Sequence, residues 1–216
     1  MTGNARERRK LVILGAGLFA EEIADLVSEI EDYELVGFVE GIDPAKCHHT
    51  LLSLPVIWID DVAQLDDSWI GVCAVGATER RSFIRQATSL GLKFTELVHP
   101  MAQVARTARL GEGTIVHAGT VIGAMTSIGR HVIINRGCLI GHRVQISDYV
   151  TLSPGANVAG RVTVGECSYI AMGAVVLDGI SIGSHAVVGA GAVVTHDVPD
   201  RVQVVGIPAR IVKKLD

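Results

Sequence analysis

From Val98 onward the chain carries an aliphatic residue at every sixth position: Val98, Val104, Leu110, Val116, Ile122, Ile128, Ile134, Ile140, Ile146, Leu152, Val158, Val164, Ile170, Val176, Ile182, Val188 and Val194. Four residues after each stands a mostly small or β-branched one, such as Ala108, Thr114, Thr120, Thr126, Val132, Val144, Ala156, Ala174 and Ala186. A helix repeats near 3.6 residues and a strand at two, so neither accounts for a period of six. One inward aliphatic per six residues is the pattern of a parallel β-helix built from hexapeptide repeats. Three hexads make one triangular coil, so residues 18 apart in this sequence stack above one another at the strand spacing of ~4.8 Å.

The residues before Val98 follow another rule. Lys10–Leu14 is a short apolar run ending at Gly15-Ala16-Gly17, and Leu18–Ile30 then has Ile23, Leu26, Val27 and Ile30 at helical spacing. Leu35–Val39 and Gly71–Val75 read as further strands, and Thr78–Leu90 as a second helix. Such strand–helix alternation predicts a small parallel α/β sheet. Composition changes at the same place: eight glycines precede residue 98 and sixteen follow it, and of the aromatics only Tyr149 and Tyr169 lie beyond it. With His99-Pro100 breaking regular structure, the expected domains are 1–97 (α/β) and 98–216 (parallel β-helix with a C-terminal cap).

Charge and cysteine usage narrow the function classes. The formal net charge of -4 argues against a general nucleic-acid binder, which needs a basic face for phosphates. Cys47, Cys73, Cys138 and Cys167 form no CxxC pair, which disfavours a zinc ribbon or a disulfide framework. No apolar stretch reaches the length of a membrane span, and the first ten residues are polar and basic. The expectation is a cytoplasmic protein that engages neither nucleic acid nor membrane.

Two places carry candidate chemistry. His142 occupies the third position of its hexad, with Ala124 one coil below and Gly160 one coil above, so small neighbours leave it approachable. A histidine so placed can act as a proton acceptor titrating near neutrality. No serine–histidine–acid arrangement is evident, so a nucleophile on the substrate would attack directly and not through a covalent enzyme intermediate. His117, Asn135 and Ser153 are expected to stack as a polar column, and His48, His49, His131, His185 and His196 to lie on the surface. In the first half, Gly15-x-Gly17-x-x-Ala20 follows a strand and opens a helix, a context in which backbone N–H groups can face a phosphate.

The hexads, the tail Gly206-Ile207-Pro208-Ala209-Arg210 and the segment LVILGAGLFAEEIADLV together resemble the sialic acid O-acetyltransferase/nucleotide-amino-sugar N-acetyltransferase family. The resemblance implies a small Rossmann-like domain joined to a left-handed β-helix, in a homotrimer that takes acetyl from acetyl-CoA held in a groove between adjacent β-helices; no metal is expected. The acceptor would be a nucleotide-linked 4-amino-4,6-dideoxy sugar held by the first domain. The stretch Ile134–His142 matches the family's active-site segment, which implies His142 as general base and Asn135 as a positioning residue. Matched groove positions imply coenzyme contacts at Thr151, Gly160, Met172 and Ala190, with Pro208 and Arg210 from the tail; Lys213 and Lys214 read as a solvated cap. For the nucleotide-sugar the matching loops hold Gly15, Gly17, Leu18, Glu40, Gly76 and Thr78.

This sequence departs from the family at named positions. Many relatives carry an acid directly after the histidine, where this chain has Arg143, and a second histidine where it has Thr151. Relatives often have Gly-His at Leu18-Phe19 and two aspartates near Glu40-Gly41. An acid could reach His142 from elsewhere, but Asp178 is two coils above, ~9.6 Å by stacking alone. Rival readings are a sialic acid O-acetyltransferase, with the same fold and base, and a non-catalytic scaffold. A γ-type carbonic anhydrase is disfavoured because its His-x4-His zinc pair is absent.

Overall fold

The computed structural model describes residues 8–66, 68–76 and 80–216, and the chain divides into two compact units, Met1–Thr95 and Glu96–Asp216. In the first unit the elements run β1 (Arg9–Leu14), α1 (Leu18–Ser28), β2 (Tyr33–Glu40), β3 (Thr50–Leu51), β4 (Leu54–Trp58), β5 (Ile70–Cys73), α2 (Arg80–Ser89) and β6 (Lys93–Phe94). The sheet order is β3-β4-β2-β1-β5-β6, parallel throughout except for β3 against β4. Leu11 to Leu14 are buried because β1 is central and covered on both faces. Helix α1 buries Ala20, Ile23, Ala24, Leu26 and Val27, the stripe that the spacing predicts.

Strand β4 is absent from the sequence reading because Pro55 interrupts its apolar run. The proline is tolerated where β2 carries Gly37: a Cβ there would stand 2.9 Å from the Pro55 carbonyl oxygen. From β1 the chain moves outward through β2 to β4, then returns to the other side of β1 as β5. The strand order therefore reverses beside β1, and ligands of open α/β sheets bind outside the carboxyl ends of the strands at such a point.

The second unit is a triangular solenoid. Residues pair in parallel with the residue 18 further on, as in Ile133↔Thr151, Leu139↔Asn157 and Gln145↔Thr163. The first face contains Leu97–Val98, Ile115–Val116, Ile133–Ile134, Thr151–Leu152, Tyr169–Ile170 and Val187–Val188. The second contains Gln103–Val104, Val121–Ile122, Leu139–Ile140, Asn157–Val158, Val175–Val176 and Val193–Val194. The third contains Ser127–Ile128, Gln145–Ile146, Thr163–Val164 and Ser181–Ile182. The hexad aliphatics from Val116 to Val194 are all at most 3% exposed, and Val98, Val104 and Leu110 of the first coil pack partly buried against them.

Every sixth residue from Gly113 to Gly191 turns a corner with positive φ. Glycine holds part of these positions, and Met125, His131, Arg143, Tyr149, Arg161, Cys167 and His185 hold others at φ between 55° and 62°. A left-handed residue with a side chain costs roughly 1–2 kcal/mol, which the paired coils on either side offset. Beyond Val194 the tail adds Val202–Val205 in parallel to Val187–Val188, then turns back as Arg210–Lys214. Val198, Val202 and Val204 join the solenoid core, while Arg210–Lys214 stay exposed.

Candidate active site

His142 sits at the corner between the second and third faces, exposed, just after Gly141. A Cβ at Gly141 would stand 2.6 Å from the Gly160 backbone nitrogen, so the glycine lets the two coils close up beneath the histidine. The same corner column runs Arg106, Ala124, His142, Gly160, Asp178 and His196. An ideal Cβ on Gly160 would lie 2.5 Å from His142 Nδ1 and 2.9 Å from Asp178 Oδ1. The expectation that stacking keeps Asp178 ~9.6 Å from the histidine is therefore corrected: both side chains lean over the bare Gly160 and converge on one point. The other Asp178 oxygen, Oδ2, is ion-paired with Arg161. Arg143, which follows the histidine, is an exposed left-handed corner residue whose N–H donates to the Ala124 carbonyl at 2.9 Å.

Below the histidine, Arg106, Thr107, Ala108, Arg109, Met125, Thr126 and Ser127 line an open cavity of about 470 Å³. Its two guanidinium groups escaped the sequence reading, which followed the matched segment and not the column.

Asn135 belongs to the other end of the second face, at its corner with the first face. It is half-buried, and its Nδ2 donates to the Leu152 carbonyl at 2.9 Å. In its column, His117 is 5% and Ser153 4% exposed, and the Ser153 hydroxyl bonds the Tyr169 hydroxyl at 2.8 Å. Met172 and Ala190, both exposed, stack along this corner. Thr151 lies on the first face, 6% exposed, between Ile133 and Tyr169. Within one chain, His142 and Gly160 thus occupy one corner, and Asn135, Met172 and Ala190 the next. Pro208 and Arg210 lie in the exposed tail, where the Ala209 N–H donates to the Val193 carbonyl at the end of the second face.

The thiol of Cys138, behind Asn135, is pushed up to about 11 by burial and makes no neutral-pH nucleophile. His131 corrects the expectation of a surface residue: it is 7% exposed because its ring stacks on Tyr149 one coil above, with centroids 5.4 Å apart. His49 and His196 are exposed and His185 half-buried.

In the first unit, Gly15, Gly17 and Leu18 follow β1, Glu40 ends β2 and Gly76 follows β5, so these residues share the carboxyl edge of the sheet at the order reversal. Gly15 has φ 107°, and a Cβ there would stand 3.3 Å from the Ala74 carbonyl. Gly17 caps α1 without a side chain, leaving open space at the helix N-terminus, and Leu18 is 85% exposed. Glu40 is only 3% exposed. Its Oε1 accepts from the N–H groups of Gly41, Ile42 and Asp43, and its Oε2 meets Lys46 at 3.2 Å. Burial raises its pKa, but these backbone donors and Lys46 outweigh that and hold the carboxyl below its usual range. What Glu40 presents is a shaped loop, not a free carboxylate. Thr78 lies outside the described residues, as does the side chain of His48.

Among the described residues no group of three His, Cys, Asp or Glu is placed to hold a metal ion, and no helix is long and apolar enough to cross a membrane. Residues 10–87 match the PglD N-terminal domain model, and residues 161–196 the bacterial transferase hexapeptide model of six repeats. No curated protein sequence matches the chain significantly. Among solved structures, a histidine-to-asparagine variant of perosamine N-acetyltransferase from Caulobacter crescentus, in complex with CoA and GDP-perosamine, superposes with a TM-score of 0.88 at 32% identity. That match covers 95% of this chain and 97% of the other. The acetyltransferase domain of PglB from Neisseria gonorrhoeae FA1090, in complex with acetyl coenzyme A, gives 0.87 at 32% identity over 95% and 100%. WeeI from Acinetobacter baumannii AYE gives 0.86 at 28% over 94% and 99%. A two-part fold shared over nearly its whole length with such relatives leads to one conclusion: the chain belongs to the nucleotide-amino-sugar N-acetyltransferase family of hexapeptide-repeat acetyltransferases.

Proposed function

We propose that this protein transfers acetyl from acetyl-CoA to the amino group of a nucleotide-linked 4-amino-4,6-dideoxy sugar. The observation that carries this reading is His142, an exposed histidine on a small-residue corner column, in a chain similar over nearly its whole length to an N-acetyltransferase solved with CoA and GDP-perosamine. The free amine attacks the thioester carbonyl, forming the C–N bond. His142 takes the proton that the nitrogen sheds, the C–S bond breaks, and the same proton passes to the departing CoA thiolate. The nucleotide of the acceptor suits the order-reversal edge of the first unit, with the open N-terminus of α1 beside Gly15 and Gly17 and the exposed Leu18.

The site is shared between copies in this proposal. On the third face the outward residues are Ser127, Gln145, Thr163 and Ser181, all polar. On the second they are Gln103, Val121, Leu139, Asn157, Val175 and Val193, mostly apolar, with Val121 38% and Leu139 46% exposed. A homotrimer that turns its second faces toward a threefold axis buries this apolar strip. It also brings the His142 corner of one chain to the Asn135, Met172 and Ala190 corner of the next. The coenzyme would lie in that groove, along Thr151, Gly160, Met172 and Ala190, with Pro208 and Arg210 at its end.

The test is thiol release from acetyl-CoA with UDP-, GDP- and dTDP-linked 4-amino-4,6-dideoxy sugars and with sialic acid. Turnover on an amino sugar, lowered at least about 10²-fold by His142→Ala, is the expected result. Turnover on sialic acid alone would make the enzyme an O-acetyltransferase, and silence with no CoA binding would leave a scaffold.

A further inference from the structure

We propose that Asp178 is the positioning carboxylate of His142, supplied from two coils above and taking the place of the acid that relatives carry directly after the histidine. The inference rests on the reading of His142 as the base. Its starting point is Gly160: the atoms nearest to its missing Cβ are His142 Cε1, His142 Nδ1 and Asp178 Oδ1. Nδ1 of the imidazole and Oδ1 of the carboxylate thus both lie within 3 Å of one point above a residue with no side chain to separate them, so a small rotation of the ring is enough to turn Nδ1–H to the carboxylate. A neutral imidazole whose Nδ1–H is directed at Asp178 Oδ1 must carry its lone pair on Nε2, the nitrogen on the far side of the ring. That tautomer accepts the proton of the attacking amine, and the carboxylate stabilises the imidazolium that results.

The second oxygen of Asp178 is held by Arg161, which turns the same corner one coil above Arg143 at φ 59°. This ion pair orients the carboxylate and leaves Oδ1 on the Gly160 side. The other charged groups of the corner do not compete for that role. Ala124 lies directly below the histidine, Arg143 and Arg161 are cations, Arg106 is two coils below, His196 is one coil above Asp178, and Asp197 beside it, three coils from the histidine, accepts from the Ser181 N–H at 2.8 Å. Asp178 is therefore the only carboxylate in this column. The acid need not follow the histidine in sequence, because stacking and a bare Cα bring one from 36 residues on.

Two variants test the assignment in the full-length protein, with acetyl-CoA and whichever amino sugar turns over. Asp178→Asn is expected to lower kcat about 10-fold or more, part of the 10²–10⁴-fold that the base supplies, with KM for both substrates little changed. Removing the carboxylate also disfavours the imidazolium, so the acidic limb of the kcat/KM profile is expected to move to lower pH. Gly160→Ala removes no ionisable group. Its methyl would part ring and carboxylate, both ends of side chains that can swing aside, so kcat is expected to fall while the thermal midpoint changes little. Wild-type kcat and an unmoved acidic limb in Asp178→Asn, with His142→Ala inactive, would overturn the role of Asp178 and leave the base standing. Retained activity in His142→Ala would instead refute the base itself.

Discussion

Asn135 and His142 stand at opposite ends of one strand, Leu139–Ile140, and so at two different corners of the same coil. A shared site then predicts complementation between inactive variants. Asn135→Ala and His142→Ala are each expected to be nearly inactive, while an equimolar mixture refolded together regains about a quarter of wild-type activity, since about one interface in four joins an intact Asn135 corner to an intact His142 corner. Steady-state rates of the mixture against each parent measure this. A mixture no more active than its parents would place the complete site within one chain.

Leu139 points outward from the second face, 46% exposed, with Val121 and Asn157 beside it in register. If the proposed trimer forms, Leu139→Arg is expected to dissociate it to monomers by light scattering and abolish activity, with the β-sheet circular dichroism unchanged. Gln145→Arg, on the polar third face, is expected to leave mass and activity as they are.

Thr126 is 1% exposed, and its hydroxyl donates to the Gly141 carbonyl at 2.8 Å while accepting from the Val144 N–H at 3.2 Å. Valine has the same shape without those bonds. Thr126→Val is expected to destabilise the fold by about 1–3 kcal/mol, the cost of leaving buried partners unsatisfied. The shift of the denaturant midpoint reads it.

Asp148 bridges two coils: its Oδ1 accepts from the Arg130 N–H at 2.8 Å, and its Oδ2 meets the Arg130 guanidinium, also at 2.8 Å. Burial pushes its carboxyl up, but the bonds and charge from Arg130 outweigh that and hold it below the usual carboxylate range. A folded-state pKa below the unfolded one means that protons bind the unfolded chain more readily. The stabilisation is complete above pH ~4 and lost as the pH falls through the folded value. Because Arg130 is 64% exposed, Asp148→Asn is expected to cost no more than about 1 kcal/mol at neutral pH. Urea unfolding at a series of pH values is expected to show the difference between variant and wild type shrinking below pH ~4.

Much of this architecture is written in the chain itself. A six-residue aliphatic period from Val98 to Val194 determines which side chains fill the solenoid, because each coil repeats the same local geometry and buries the same position. The strand and helix around Gly15-Ala16-Gly17 follow as directly, since their burial patterns are local and periodic. Where a local rule was broken, the sequence misled: Pro55 hid a strand whose partner accommodates it through Gly37, and His131 sits buried at a corner because Tyr149 stacks upon it. The meeting of His142 with Asp178 belongs to the tertiary structure alone. Stacking arithmetic measures the distance between backbones, and it separates these two residues by two coils. Only the directions of the side chains, and the absence of one at Gly160, decide that an imidazole and a carboxylate from different coils approach the same point.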